Sequence, residues 1–262
     1  MTSKRQPRPL GGATSSRAQR ANPTASSRPS SSRRFVASSS LSSSKSTLRA
    51  RLRTLPGATP AESALDQCAL METDLWAAAF NIALYRSLPG EVATDLLFAD
   101  AARLGMDITV PVSTPSGKTY IWRRITPKTL WHPGPHGIEE PTTSLPGRPT
   151  DLRLILVPGL AFDPTGRRLG HGTGTYDRLL AKCPDAFLLG LCPASRLLPP
   201  DTIPFAPHDI PVDAILTNGH FHFTPSAEAK LARIFGFPPP PPSSPSSSRP
   251  LVDSSSSSEP SP

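Results

Sequence analysis

The sequence is poor in the residues that build metal centres, disulfide frameworks and membrane spans. Its 262 residues include only three cysteines, and Cys68, Cys183 and Cys192 show neither metal-ligand nor disulfide spacing. We therefore expect all three in the interior of a protein from a reducing compartment. No apolar run reaches the roughly 18 residues of a membrane span, so no membrane partner is expected.

Two common phosphate-binding motifs are also missing. G-x-x-x-x-G-K-[ST] does not occur, which excludes a P-loop. Gly170, Gly172 and Gly174 form a G-x-G-x-G pattern, which differs from the dinucleotide pattern G-x-G-x-x-G. They also follow the preceding strand only after 11 residues, whereas the dinucleotide motif follows its strand directly.

Acidic residues are absent from positions 1–44, which contain 14 serines, seven arginines and one lysine. These eight cations equal the net charge of +8, because residues 45–262 carry 20 basic and 20 acidic side chains. The balanced charge of the remainder argues against a nucleic-acid partner. The acid-free, Arg- and Ser-rich start predicts a mitochondrial transit peptide, with residues 33–37 resembling a processing site. A basic tail on a cytoplasmic protein is the alternative.

Composition divides the chain into three parts. Residues 1–44 and the Pro- and Ser-rich residues 238–262 have too little apolar surface to offset chain entropy, so both are predicted to be disordered. Residues 45–237 suit a single domain. Its strands alternate with helices, which predicts an α/β fold with a mostly parallel sheet covered on both faces.

Apolar periodicity and turn residues predict the individual elements. Helices are expected at residues 45–53, 61–71, 92–104 and 176–183. Strands are expected at residues 74–85, 107–112, 119–123, 151–158 and 186–192, and residues 206–217 close the sheet. A helical beginning is the alternative for the first of these strands. Asp213 is expected to open that last strand. His220 and His222 have the H-x-H spacing of some metal sites, but no third ligand stands out, so we interpret them as structural.

One stretch, Arg168-Leu-Gly-His-Gly-Thr-Gly-Thr-Tyr-Asp177, combines a glycine-rich loop with charged and aromatic residues. Its glycines permit tight turns and a close approach to a ligand. It lies between a buried strand and a helix, which suits an anion site at the carboxyl end of a parallel sheet. Glycines alone would equally fit a flexible surface loop. Arg168, Tyr176 and Asp177 favour a phosphate site because they add a cation, a ring and a candidate Mg²⁺ ligand.

Residues in and before this loop resemble a family signature. Val157-Pro-Gly-Leu-Ala-Phe-Asp163, Gly166, Arg168-Leu-Gly170 and Tyr176-Asp177-Arg178 are similar to the signature of the 5-formyltetrahydrofolate cyclo-ligases, also called methenyltetrahydrofolate synthetases. The similarity extends from about residue 45 to about residue 216. The resemblance implies a three-layer α/β/α sandwich, which we expect to be monomeric.

The resemblance also implies an activity. Such an enzyme uses ATP and Mg²⁺ to convert 5-formyltetrahydrofolate, with or without a polyglutamate tail, to 5,10-methenyltetrahydrofolate, with release of ADP and phosphate. Because a fold does not fix a function, the alternative is a non-catalytic folate-binding, regulatory or RNA-binding protein on the same scaffold.

The resemblance further implies roles for individual residues. ATP binding is assigned to Lys45, Arg49, Arg168, Leu169, Gly170, His171, Gly172, Thr173, Gly174, Thr175 and Tyr176. Folate binding is assigned to Arg86, Glu91, Trp131, His171, Gly172, Thr173, Gly174 and Thr175. Catalysis is assigned to Arg168 and Tyr176, and Mg²⁺ binding to Asp177 and Asp213.

Several of these residues also have plainer interpretations. Glu91 could accept hydrogen bonds from both N–H donors of the pterin edge, or its charge could simply interact favourably with the dipole at a helix N-terminus. Trp131 could cover the pterin or pack onto the core. Either aspartate could cap an element, and the helix with Lys45 could be a solvated cationic one. Arg86 stands where the family has a different side chain.

The loop departs from the family at three positions. Many members have Arg, Lys or Gly, and Tyr where this chain has His171, Thr173 and Thr175. Up to two positive charges are therefore missing, and charge-assisted hydrogen bonds contribute about 1.5–3 kcal/mol each. We expect phosphate to be held mainly by backbone N–H groups and Arg168, with His171 also facing the phosphates.

Overall fold

The computed structural model describes residues 44–117 and 119–236. Helices α1 to α6 cover, in order, residues 44–52, Pro60–Met71, Asp74–Ala78, Asp95–Arg103, Thr175–Leu180 and Ala227–Phe235. Strands β1 to β12 cover Asn81–Ala83, Asp107–Ser113, Tyr120–Arg124, Trp131–Pro133, Glu139–Pro141, Leu145–Pro146, Leu154–Pro158, Ala161–Phe162, Arg168–Leu169, Phe187–Leu191, Ala214–Thr217 and His220–Phe223.

Eight of these strands form one sheet in the order β12-β11-β10-β7-β1-β2-β3-β6. The five central strands, β11 to β2, are parallel to their neighbours. At the edges β12, β3 and β6 pair antiparallel. The predicted α/β fold with a mostly parallel sheet is therefore confirmed.

The central strand β7 shows how the sheet separates two apolar layers. Leu154 and Leu156 pack with residues of α2, α3, α4 and α6 on one face. Ile155 and Val157 pack with residues of α5 on the other face. Because successive side chains of a strand point to opposite faces, an uninterrupted apolar run is what a strand between two helical layers requires. Helices on both faces give the expected α/β/α sandwich.

The apolar run at residues 74–85 has the helical beginning that the sequence left open, so it is not a continuous strand. Thr73 starts α3 there, because its Oγ1 accepts a hydrogen bond from the Trp76 N–H at 3.2 Å. Trp76 is fully buried, and its indole N–H donates to Asp100 at 2.8 Å. Only residues 81–83 then form β1.

Other boundaries differ in ways that bear on the candidate site. Helix α4 begins at Asp95 instead of residue 92, so Glu91 lies in the turn before the helix and not in its first turn. Helix α5 has six residues and ends at Leu180. Strand β11 does not close the sheet, because β12 lies beyond it. Cys183 and Cys192 are buried as expected, but Cys68 is exposed.

The predicted terminal segments fall almost entirely outside the described residues. This applies to the candidate transit peptide and to the Pro- and Ser-rich tail, although residue 44 already belongs to α1. In the part of the chain that the structure describes, no helix combines the length and apolar character needed to cross a membrane.

Candidate active site

A cavity of about 520 Å³ opens at the carboxyl ends of the parallel strands. Tyr85 follows β1, Pro158 ends β7, and Val110 and Pro111 come from β2; all four line it. Helix α1, the glycine-rich loop and residues 206–209 complete the wall. This edge is where open α/β sheets bind their ligands.

The cavity brings together almost every residue assigned from the sequence. Its wall contains Lys45, Arg49, Arg86, Glu91, Arg168, Leu169, Gly170, His171, Gly172, Thr173, Gly174, Thr175, Tyr176 and Asp177. Trp131 and Asp213 do not line it.

The glycine-rich loop exposes backbone donors to this cavity. Gly172 and Gly174 have φ values of 110° and 62°, which other residues rarely adopt. Among the described residues, no acceptor receives a backbone hydrogen bond from the N–H groups of 171–174. Arg49 holds the loop from one side, because its Nε donates to the Gly170 carbonyl at 2.8 Å. Since α5 is short, an anion would be bound by these loop donors more than by a helix dipole.

Two of the four carboxylates on the cavity wall, Asp177 and Asp209, each accept hydrogen bonds from a cation and from a backbone N–H. Arg168 Nη2 donates to Asp177 Oδ1 at 2.9 Å, and the arginine side chain is only 8% exposed. Lys45 Nζ donates to Asp209 Oδ2 at 2.5 Å. Backbone N–H groups also bond to both carboxylates, from Ile210 to Asp177 and from Ala206 to Asp209. Sequence reasoning missed Asp209.

Glu91 occupies a different part of the wall and is almost fully buried. Its Oε2 accepts the Leu88 N–H at 2.9 Å, which fixes the turn that carries it. Its Oε1 lies 3.1 Å from Nε2 of His171. In this structure the loop directs the imidazole to Glu91, and the expected contact of His171 with phosphate stays a prediction.

The Tyr176 phenol lies between charges of both signs. Burial, followed by the nearby Glu91, raises the pKa of Tyr176 far above its usual value, and Arg168 opposes this shift only in part. The Arg168 guanidinium carbon lies 5.7 Å from the ring centroid. Tyr176 therefore stays protonated near neutral pH and can donate a hydrogen bond, but it cannot serve as a base.

Arg86 lines the cavity while Trp131 lies behind it. The Arg86 guanidinium contacts Glu139 and lies 2.9 Å from Asp95. Its carbon is 4.9 Å from the Trp131 ring centroid, and that ring meets Phe98 edge-on. Trp131 thus packs onto the core through β4 and supports Arg86, and its role as a pterin cover stays a prediction.

Asp213 lies at the opposite edge of the sheet and does not line the cavity, so its role as a metal ligand stays a prediction that the fold does not favour. It directly precedes β11 and accepts the Leu188 N–H and the Lys230 ammonium, both at 2.7 Å. Burial raises the pKa of Asp213 despite Lys230. Within residues 44–117 and 119–236, no cluster of three or more His, Cys, Asp or Glu could hold a metal. The carboxylates available to a cation at the cavity are Asp177 and Asp209.

Residues 41–218 match the model of the 5-formyltetrahydrofolate cyclo-ligase family. The chain belongs to this family. The resemblance read from the sequence is thus confirmed for most of the domain.

Individual members of the cyclo-ligase family match different lengths of this chain. The mouse 5-formyltetrahydrofolate cyclo-ligase is 30% identical over 69% of this chain and 97% of its own length. The mitochondrial 5-formyltetrahydrofolate cyclo-ligase of Arabidopsis thaliana is 37% identical over 29% of this chain and 31% of its own. The solution structure of Aquifex aeolicus 5,10-methenyltetrahydrofolate synthetase is 25% identical, with a TM-score of 0.58 over 71% of this chain and 93% of that one.

Proposed function

We propose that this protein catalyses the ATP-dependent conversion of 5-formyltetrahydrofolate to 5,10-methenyltetrahydrofolate, with release of ADP and phosphate. One observation carries the proposal beyond family membership. A single cavity contains both a buried carboxylate, Glu91, and a loop whose N–H groups at residues 171–174 lack acceptors among the described residues. A pterin and a polyphosphate could therefore lie side by side.

Glu91 is the proposed folate contact. The amino-pyrimidinone edge of a pterin offers two N–H donors, and a carboxylate can accept both at once. The Leu88 N–H bond holds this carboxylate in one orientation. The Tyr85 hydroxyl, which donates to the Val92 carbonyl at 2.9 Å, fixes the other end of the same turn. Orientation of the pterin would thus be set by buried, hydrogen-bonded groups.

The glycine-rich loop, Lys45 and Arg49 are the proposed nucleotide contacts. Backbone donors at residues 171–174 would bind phosphate oxygens, and the two cations would balance their charge. Arg168 and Tyr176 would supply a buried positive charge and a hydrogen-bond donor beside the reacting groups. Fixed donors and charges of this kind stabilise the charge that develops during phosphoryl transfer.

Asp177 and Asp209 fit the requirements of a bound Mg²⁺. This ion usually takes one or two carboxylates together with waters and substrate phosphates. When bound it would neutralise phosphate charge. The two carboxylates are held by Arg168 and Lys45 respectively, so the protein keeps them oriented.

The ATP phosphoryl group would turn the amide-like formyl oxygen into a leaving group, after which N10 of the folate attacks the formyl carbon. No side-chain nucleophile is needed for this chemistry. The protein would contribute alignment and charge stabilisation.

We further propose that the enzyme is a monomer that acts in mitochondria, on folates with or without a polyglutamate tail, and without a nucleic-acid partner. The Arg- and Ser-rich residues 1–44 support the location, with the cytoplasm as the alternative.

The test follows the absorbance of methenyltetrahydrofolate when purified protein meets 5-formyltetrahydrofolate, ATP and Mg²⁺. Product should form only when ATP is present. Glu91→Gln should lower kcat/KM for folate at least tenfold, because the amide replaces one of two acceptors with a donor. Folate binding without ATP-dependent product would identify a non-catalytic relative instead.

A further inference from the structure

The contact between His171 and Glu91 joins the two halves of the cavity. His171 Nε2 lies 3.1 Å from Glu91 Oε1, and since a carboxylate accepts, the imidazole donates. The glutamate side chain is 5% exposed and the histidine side chain 38%. The hydrogen bond therefore starts in the accessible cavity and ends on a buried group.

This contact is one of two side-chain anchors on the glycine-rich loop. On the nucleotide side, Arg49 Nε donates to the Gly170 carbonyl at 2.8 Å. On the other side, His171 holds the loop to Glu91. Gly172, with its φ of 110°, directly follows His171 and lets the chain reorient there. Loss of either anchor frees that end of the loop.

A pterin edge and the His171 imidazole need the same carboxylate surface. The Leu88 N–H approaches Oε2, which leaves Oε1 as the oxygen that the histidine covers. A pterin that donates to both oxygens must approach from the cavity, where the imidazole stands. Each carboxylate oxygen can accept two hydrogen bonds, so the two groups compete for the space in front of Oε1 and not for its lone pairs.

We propose that His171 occupies the folate's carboxylate in the ligand-free protein, so that folate must displace it and thereby release the glycine-rich loop. This inference rests on the proposed function, because it takes Glu91 as the pterin contact. Nucleotide phosphates that draw the loop N–H groups together break the same hydrogen bond. Whichever ligand binds first breaks this hydrogen bond, so the second ligand binds without that free-energy cost. Each ligand therefore raises the affinity for the other by the same factor.

The test measures the Kd of 5-formyltetrahydrofolate by calorimetry, with and without a non-hydrolysable ATP analogue and Mg²⁺. In the wild type, the analogue should tighten folate binding about three- to tenfold. His171→Ala should bind folate alone about three- to tenfold more tightly than the wild type, and the analogue should then add little. His171→Gln keeps an N–H donor and should resemble the wild type.

His132→Ala is the matched control, because His132 is an exposed histidine in β4 whose ring contacts the Pro133 carbonyl. It should change neither affinity. Melting curves confirm that all variants are folded. Unchanged or weaker folate binding by His171→Ala would overturn the proposal, as would an unchanged effect of the analogue. Either of these results refutes only the inference if the wild type binds folate and forms product. A wild type that neither binds folate nor forms product would refute both.

Discussion

Replacing Asp213 and Asp177 by asparagine separates a structural carboxylate from a candidate metal ligand. Asp213→Asn keeps an oxygen for the Leu188 N–H but removes the charge that Lys230 contacts at 2.7 Å. A charge-assisted hydrogen bond contributes about 1.5–3 kcal/mol. Burial raises the pKa of Asp213 despite Lys230, so desolvation outweighs what the carboxylate itself gains; the loss comes instead from the Lys230 ammonium, whose side chain is 18% exposed and would be left without its carboxylate. We expect a loss of about 1–2 kcal/mol in the free energy of unfolding.

That loss translates into a measurable shift of Tm. For a domain of roughly 190 residues, each kcal/mol lowers Tm by about 2–4 °C, so Asp213→Asn should melt about 2–8 °C below the wild type. Its activity at saturating Mg²⁺ should remain near the wild-type value, because the residue does not line the cavity.

Asp177→Asn should show the opposite pattern in Mg²⁺ titrations. Loss of an anionic ligand should raise the Mg²⁺ concentration for half-maximal activity at least tenfold. Its Tm is not diagnostic, because Arg168 also loses the carboxylate that it contacts at 2.9 Å. The assay is therefore product absorbance against Mg²⁺ concentration for both variants. A raised Mg²⁺ requirement in Asp213→Asn, or none in Asp177→Asn, would refute this assignment.

Three further predictions concern other parts of the chain. Burial raises the pKa of Asp66 to about 6, above its unfolded value, so its ionisation should lower stability as pH rises from about 4 to above 6. In denaturant titrations, Asp66→Asn should remove this fall of stability with pH and add up to about 3 kcal/mol to the free energy of unfolding at pH 7. A variant whose stability falls more steeply with pH than that of the wild type would contradict this prediction. In Gly57→Ala, the new Cβ would lie 2.3 Å from Gly90 Cα. The shifted Glu91 turn should lower kcat/KM for folate roughly tenfold, and unaltered kinetics would show that the turn adjusts. A fluorescent reporter fused to residues 1–44 should enter mitochondria, and a diffuse signal would remove the transit-peptide hypothesis.

The elements that surround the cavity were largely readable from the sequence. Strand β7 could be predicted because its apolar run, Leu154 to Val157, has no polar interruption, which a strand buried on both faces requires. The loop from Gly170 to Gly174 could be predicted because alternating glycines mark backbone that approaches a ligand. Most residues that the family resemblance named as site residues line this cavity.

Positions that depend on distant contacts were harder to predict. Trp131 sits in a three-residue strand, and its neighbours Phe98 and Arg86 come from distant parts of the chain. His171 follows a glycine and precedes another, so its direction depends on backbone angles that sequence does not specify. Its partner Glu91 lies 80 positions earlier. Burial and partners of this kind are tertiary properties.

The sequence analysis chose Asp213, whereas Asp209 is the aspartate near β11 that lines the cavity, and this difference has a simpler cause. Both aspartates lie within five residues of each other, and both precede β11. A residue that opens a parallel strand lies at the amino edge of the sheet, whereas ligands bind beyond the carboxyl ends. The predicted start of that strand at Asp213 was therefore sufficient to exclude it from a phosphate site. Asp209 reaches the cavity because its loop lies beside α1, where Lys45 Nζ contacts it at 2.5 Å. Strand polarity alone argues against a cavity position for Asp213, whereas the cavity position of Asp209 depends on the path of its loop.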